Sequence, residues 1–361
     1  MEHENRMTPL GATPAGRLLS WLYGIAVAGR NRDYDRGVKP ARKAGRPVVS
    51  IGAVHAGGTG KTPCALLTGR LLSQRGIPVA FLSRGYRRRS KNTVIVKPGD
   101  PAGWRTIGDE PALLREGLPE AWLGVGADRA AVAKAMVPLL PENAVFILDD
   151  GFQHRGLHRD LDIVCLPANP FSDRLIPAGT LREPLDNIKR AHLIALIGDR
   201  NERPALEAAR EKLRTIIPDH PVCILYAKAG NWADLWTEAR AARPPFSHPA
   251  LISGIARPER FKAMVQSLGI TPSVLRRYGD HHAYTRRDIA GTMVSGTDGI
   301  ITTHKDAIKI RNINLVPRPA IWYLIMQLLF SSKGCENTFE HALYEIVSDK
   351  KSGLSPNGGL S

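Results

Sequence analysis

Cysteine is scarce in this sequence. Four occur in 361 residues, Cys64, Cys165, Cys223 and Cys335, widely scattered. There is no C-x-x-C pair or Cys/His grouping to suggest a zinc site, and a chain of this size has no need of a disulfide framework. A reduced, cytoplasmic setting is the simpler expectation. A spanning apolar run is also missing: Leu18 to Ala28, "LLSWLYGIAVA", is apolar for 11 residues, and a bilayer core needs roughly 20. The acidic Glu2 and Glu4 do not open a convincing secretory signal. Acid itself is in short supply, with 34 Asp and Glu against 50 Lys and Arg, giving a formal net charge of +16. The guanine-reading pattern [NT]-K-x-D of GTPases is absent as well: "TTHKD", Thr302 to Asp306, has its Lys and Asp adjacent.

What is present is ordinary globular material, 43% hydrophobic and 23% charged, in a chain long enough for two domains with real cores. The positive charge predicts attraction to something anionic: nucleic acid, an acidic membrane surface or a phosphorylated substrate. Near the N-terminus, the apolar stretch with Trp21 and Tyr23 precedes Arg30, Arg32, Arg36, Lys39, Arg42, Lys43 and Arg46, against only Asp33 and Asp35. Two readings of it stand. One is a helix lying at an anionic membrane surface; the other is a helix packed on the protein's own core.

Short apolar strands alternate with helical patterns from residue 47 onward. Pro47–Ile51, Val79–Leu82, Ala144–Leu148, Asp162–Leu166 and Leu193–Ile197 read as strands, and Thr62–Arg75 as a helix ended by Gly76. The pattern restarts with Val222–Leu225, Ala250–Ser253 and Gly299–Thr302. The expected fold class is α/β: a mostly parallel sheet covered on both faces, with a second, smaller α/β domain. The polar, glycine-rich residues 349–361 read as a disordered tail.

The loop "GAVHAGGTGKTP", Gly52 to Pro63, carries the first chemistry. The usual phosphate-binding spacing G-x-x-x-x-G-K-[ST] places glycine where His55 stands, yet the physical needs are met. A strand ends, a glycine-rich turn exposes backbone N–H groups, and a helix begins with its positive end facing the same place. Residues His55, Ala56, Gly57, Gly58, Thr59, Gly60, Lys61 and Thr62 are the expected nucleotide cradle. Lys61 reaches the β- and γ-phosphates and the Thr62 hydroxyl suits Mg2+. Such a site needs an acid at the end of a buried strand, and "AVFILDD" offers Asp149 and Asp150; the competing reading is a pair of solvated turn aspartates. With no guanine-reading motif, ATP is the expected nucleotide.

Beyond the loop the sequence becomes more specific. "DDGFQHRGLHRDLDIV" (Asp149 to Val164) and "IPAGTLREP" (Ile176 to Pro184), with the glycine loop, resemble the tetraacyldisaccharide 4'-kinase family, the lipid A 4'-kinases of Gram-negative bacteria. "LSRGY", "GDEP", "RPERF", "DHHAYT" and "TTHKDAIK" match in order, and the resemblance runs from about residue 15 to 330. It implies an ATP- and magnesium-dependent transfer of the γ-phosphoryl group. The acceptor is the 4'-hydroxyl of an acylated glucosamine disaccharide 1-phosphate, met at the cytoplasmic face of the inner membrane by a peripheral enzyme. On this reading the membrane takes the N-terminal helix, and nucleic acid is not a partner. The implied layout is a membrane-associated segment 1–46, a P-loop kinase domain 47–200, a smaller domain 201–348 and the tail.

The resemblance also implies residue roles. Asp109 in "GDEP" stands as the base that accepts the sugar hydroxyl's proton, and His281, first histidine of "DHHAY", pairs with it; the alternative for Asp109 is a helix N-cap, which does not exclude catalysis. Glu110 joins Thr62, Asp149 and Asp150 as a candidate metal ligand, and His154, Arg182 and Glu183 are expected to line the site. Arg84 and Arg129 are candidates for substrate phosphate, with solvated surface roles as the alternative. The chain departs from the family at Ala53, where Asn is usual, at His55, where Thr or Ser is usual, and at His304, where Glu is usual. Two other classes compete: a nucleic-acid-stimulated P-loop ATPase, for which no helicase or recombinase motif is present, and a metal-dependent phosphoesterase reading of "DHH", which lacks further N-terminal aspartates.

Overall fold

The structure is a computed structural model that describes residues 13–86, 88 and 91–352, with side chains through residue 348. Residues 87, 89 and 90, in the arginine-rich stretch after Tyr86, and the end of the expected tail lie outside the described residues. The chain forms two compact units, one from residues up to Lys61, Leu148–Tyr226 and residues from Phe330 onward, the other from Thr62–Ile147 and Ala227–Leu329. Neither is a single run of chain such as 47–200 or 201–348.

In the first unit the strands Val48–Gly52, Leu161–Pro167 and Leu193–Gly198 and the start of Val222–Asp234 pair in that order, all parallel. The first is buried at every position and the others almost throughout, which is why they read as near-continuous apolar runs rather than alternating ones. Helix Arg203–Ile216 lays Leu206, Ala209 and Leu213 on this sheet beside Val164, Ile194 and Ile224.

The N-terminal helix runs Pro14–Asp35, longer at both ends than its apolar stretch, with Thr13 as N-cap and proline in the first turn. Its amphipathicity is inverted. The buried positions are Gly16, Ser20, Val27 and Asn31, while Leu18, Leu19, Trp21, Leu22 and Ile25 are 47–62% exposed. Polar bonds fasten it. The Ser20 hydroxyl donates to the Leu175 carbonyl (2.9 Å) and accepts from the Ala178 N–H (2.9 Å), Tyr23 donates to the Arg182 carbonyl (2.8 Å), and Asn31 donates to Glu183 (2.8 Å). The helix thus docks on the protein's own chain, as one of the two readings has it, but through Gly16, Ser20, Val27 and Asn31 rather than its large apolar side chains. No helix among the described residues is long and apolar enough to cross a membrane.

In the second unit Val79–Ser83 pairs parallel with Trp122–Val125, which takes Val94–Val96 antiparallel on its other side. Val274–Arg277, Pro249–Ser253, Gly299–Thr303 and Ile321–Phe330 form a parallel set in that order. Ile252, Ile300, Ile321 and Tyr323 build its core with Ala307 and Ile310 of the helix His304–Ile310. Ile321–Phe330 has no counterpart among the expected strands, although "IWYLIMQLLF" is apolar enough to be one. A helix from Lys333 to Ser352 follows it, passing into the segment expected to begin the tail.

Candidate active site

The glycine loop leaves the sheet where Val48–Gly52 ends, and helix Lys61–Gln74 begins where the loop closes. Gly57, Gly58 and Gly60 have φ of 69°, 58° and 81°, the left-handed region open to glycine at little cost. A Cβ at Gly60 would also meet Ile197 at 2.8 Å. Gly52 is required for another reason: a Cβ there would lie 2.5 Å from the backbone nitrogen of Phe152, in the "DDGFQH" segment. The early glycine thus lets the aspartate turn approach the loop, and position 55 is relieved of that need. His55 is 2% exposed and its backbone bridges Leu181. The Ala56 N–H donates to the Thr180 carbonyl and the Arg182 N–H to the Val54 carbonyl, both at 2.7 Å, so the "IPAGTLREP" segment is fastened along the loop.

Lys61 Nζ stands 3.7 Å from Asp150 Oδ1, and Arg182 Nη1 bonds both Asp150 oxygens at 2.8 and 2.7 Å. Asp150 itself has φ of 53°, an uncommon conformation for a non-glycine residue. Gln153 carries the arrangement back to the loop through its amide, which donates to the Ala53 carbonyl at 3.1 Å. Asp149, 3% exposed, ends the strand Val145–Asp149, and His154 is half-buried on the turn beyond it. The solvated-turn reading of the two aspartates does not describe Asp149. Glu183 is fully buried, its Oε2 taking Asn31, Asn187 and Arg190 at 2.8, 2.8 and 3.0 Å. With those partners its carboxylate ties the N-terminal helix to the unit and is not presented as a surface for a ligand.

The second unit holds the acid–base candidates. Gly108, at φ 100°, links Trp104–Ile107 to the helix Asp109–Gly117 and is that helix's N-cap. Asp109 therefore occupies the first helical position, and its Oδ1 accepts only the neighbouring Glu110 N–H (3.0 Å); the cap reading assigns the role to the wrong residue. Its Oδ2 lies 2.7 Å from His281 Nδ1. His281 has φ of 61°, a strained conformation for a non-glycine residue. It is held by its N–H on the Gly254 carbonyl (3.2 Å) and on Asp280 Oδ1 (3.0 Å), and Tyr86 meets the ring edge-on at 5.3 Å. The neighbouring His282 stacks on Tyr278 and bonds Asp288 at 3.2 Å, a structural role.

One residue here was not anticipated. Lys305, second in the helix His304–Ile310, brings Nζ to 3.3 Å from His281 Nε2, 3.4 Å from Asp280, 3.5 Å from Glu110 and 3.9 Å from Asp109. It lies in "TTHKDAIK", but a lysine in a helical first turn carries no signal until its neighbours are known. Burial alone would push the Asp109 carboxyl up, but the hydrogen bond with His281 and the charge of Lys305 outweigh it and hold the group below the usual range. Burial likewise works against the Lys305 ammonium, yet Asp109, Glu110 and Asp280 raise it above an ordinary lysine.

The remaining candidates fall elsewhere. Arg84 is exposed. Arg129 is 7% exposed at the start of helix Arg129–Met136, with Nη1 on the Ala127 carbonyl at 2.6 Å. Glu110 points at Lys305, and no group of three or more His, Cys, Asp or Glu among the described residues is arranged to hold a metal on protein ligands alone.

The family model of tetraacyldisaccharide-1-P 4'-kinases, LpxK, matches residues 13–344. A tetraacyldisaccharide 4'-kinase of Anaeromyxobacter dehalogenans (strain 2CP-C) is 39% identical over 319 residues, 84% of this chain and 84% of its own length. That of Bdellovibrio bacteriovorus is 34% identical, covering 82% of this chain and 89% of its own. The crystal structure of LpxK from Aquifex aeolicus in complex with ATP superposes with a TM-score of 0.72 at 30% identity, over 91% of this chain and 97% of that one.

Proposed function

We propose that this chain, which belongs to the tetraacyldisaccharide 4'-kinase family, transfers the γ-phosphoryl group of ATP to the 4'-hydroxyl of a tetraacyl disaccharide 1-phosphate in lipid A biosynthesis. Family membership supports the reaction, and the Asp109–His281 contact at 2.7 Å is the observation that carries the residue assignment. The loop amides and Lys61 bind the donor phosphates, and Asp109 takes the proton of the attacking hydroxyl. A carboxylate held below its usual range is a weak base, but phosphoryl transfer needs little more. Its transition state is loose, the hydroxyl proton leaves late, and placement outweighs basicity. An aspartate kept ionised and aimed by an imidazole suits that demand.

The hard carboxylate of Asp149, at the end of its buried strand, suits Mg2+, which takes carboxylates, water and substrate phosphates rather than a full protein cage. When bound, the ion neutralises charge on the β- and γ-phosphoryl oxygens. Asp150 orders Lys61 and Arg182 beside the loop. The inverted N-terminal helix and the net charge of +16 suit a peripheral enzyme at the anionic cytoplasmic face of the inner membrane.

Incubating the protein with ATP, Mg2+ and tetraacyl disaccharide 1-phosphate should give a bisphosphorylated product. ATP hydrolysis stimulated by DNA or RNA but not by the disaccharide would overturn this reading, as would phosphoester hydrolysis without ATP.

A further inference from the structure

We propose that Lys305 is a positioning residue that fixes the tautomer of His281: its ammonium faces Nε2, so that Nδ1 carries the ring proton and donates it to Asp109. An ammonium has donors and no acceptor. At 3.3 Å from Nε2 it is satisfied only by a ring nitrogen that bears a lone pair. The remaining ring proton then sits on Nδ1, 2.7 Å from Asp109 Oδ2, where it makes the shortest contact of the cluster. The opposite tautomer would leave two donors facing each other at Nε2 and a lone pair facing a carboxylate at Nδ1. A doubly protonated ring would keep its bond to Asp109 but set its second N–H against an ammonium 3.3 Å away, with Asp280 3.7 Å from that nitrogen.

The lysine is held firmly enough to do this. Its side chain is 17% exposed and three carboxylates, Asp109, Glu110 and Asp280, lie within 4 Å of Nζ. It shares Asp280 Oδ1 with the His281 backbone N–H, so the same carboxylate anchors the lysine and the strained histidine. The helices bearing Asp109 and Lys305 pack directly on each other. The consequence rests on the kinase reading: with the ring proton held on Nδ1 and aimed at Asp109, the carboxylate is oriented for the sugar hydroxyl.

The test is a long-range 1H–15N correlation of the histidine rings, which identifies the tautomer from its two nitrogen shifts. The chain has 11 histidines, so the His281 signals are assigned by loss in His281→Gln. The wild type should show a protonated Nδ1 and a bare Nε2. In Lys305→Met, Asp109 still holds the Nδ1 proton but nothing opposes a second one at Nε2, so the pattern should move towards the doubly protonated ring, with kcat down about 10- to 100-fold and the KM for ATP nearly unchanged. Lys305→Arg, which keeps the donor charge, should restore the wild-type pattern and most of kcat. Should the Met variant not fold, Lys305→Gln carries the same test, because its amide can either donate or accept and mixed tautomers are expected. An unchanged ring pattern in Lys305→Met or Lys305→Gln would overturn the proposal, as would equal kcat losses in the Arg and Met variants. Failure of the kinase reading shows separately, as a wild type that forms no bisphosphorylated product from ATP and the disaccharide while its ring pattern is still read by the correlation.

Discussion

The glycine-loop cluster and the Asp109 cluster each hold an aspartate against a cation, yet they are built in opposite ways. The first is made largely by main chain. One strand, one loop and one helix start lie within fifteen residues, and the neighbouring aspartate turn and Thr180–Arg182 attach through backbone groups. The second is made by side chains from three distant segments, at residues 109, 281 and 305, each at a helix start or in a strained turn. A main-chain site tolerates a changed residue provided the path is kept, as His55 illustrates. A side-chain site depends on every member being placed by its own segment.

Breaking the first cluster at its one irreplaceable side chain should have the largest effect. Lys61→Ala removes the loop's positive charge from the donor phosphates. Loss of one such contact is expected to lower kcat at least about 10²–10³-fold, because the loop amides cannot supply a full charge. Near-normal turnover would mean that phosphate is bound elsewhere.

In the second cluster, Asp109→Asn should cost roughly 10²–10⁴-fold in kcat while leaving nucleotide affinity little changed. His281→Ala should act in the same direction, and the double variant should lose less than the product of the two, since they disable one unit. The pH profile sharpens the point. The Asp109 carboxyl is held below its ordinary range, and on the proposed base role the active form is the ionised one. The acid limb of kcat/KM therefore lies below the roughly 3.9 of a free aspartate, and activity is lost only as pH falls through that depressed value. Because the hydrogen bond with His281 and the Lys305 charge both favour the ionised form, removing either should move the limb upward. A limb that stays in place in both variants would separate Asp109 from its neighbours.

The same contrast runs through the N-terminal helix, whose polar face is specified by side-chain bonds and whose apolar face is left outward. Replacing Leu19, Trp21 and Ile25 by serine removes three half-exposed apolar side chains. At about 1 kcal/mol each, the membrane partition coefficient should fall roughly 10²-fold without loss of folding. High salt should release the wild type only in part, because apolar insertion is not screened as charge is. Equal partitioning of wild type and variant into anionic vesicles would leave that face without a membrane role.

What the sequence made legible follows from this division. The buried parallel strands and the glycine loop declare themselves because short apolar runs and glycine spacing are local properties. Ile321–Phe330 escaped although it is equally apolar and a helix starts at Lys333, just beyond it. Asp109 and His281 could be paired only through the family resemblance: 172 positions separate them, and nothing local brings them together. Lys305 lacked even that, because its meaning lies in four partners from other segments. Glu183 is a motif residue whose partners the sequence does not announce: its carboxylate is buried against Asn31, Asn187 and Arg190.

The smallest expected effect concerns a departure beside Lys305. His304 stands where the family usually carries glutamate, and here its Nε2 meets Glu116 Oε2 at 3.0 Å while its ring stacks on Tyr323 at 4.8 Å. Glu116 is near the end of the helix that Asp109 begins, and it also takes Arg311 at 2.8 Å. In this chain His304→Glu would bring a second carboxylate against Glu116, with one arginine to serve both. The pair is part-exposed, at 17% and 30%, so solvent screens much of the repulsion. A loss of about 1 kcal/mol, or roughly 2–4 °C in Tm, is expected. Adding Glu116→Lys should recover it by restoring opposite charges across the two helices. Turnover should fall only a few-fold, because Lys305 keeps its own carboxylate partners. If the single substitution leaves Tm unchanged and the double variant gains nothing, the contact between positions 116 and 304 does not couple the helices that carry Asp109 and Lys305.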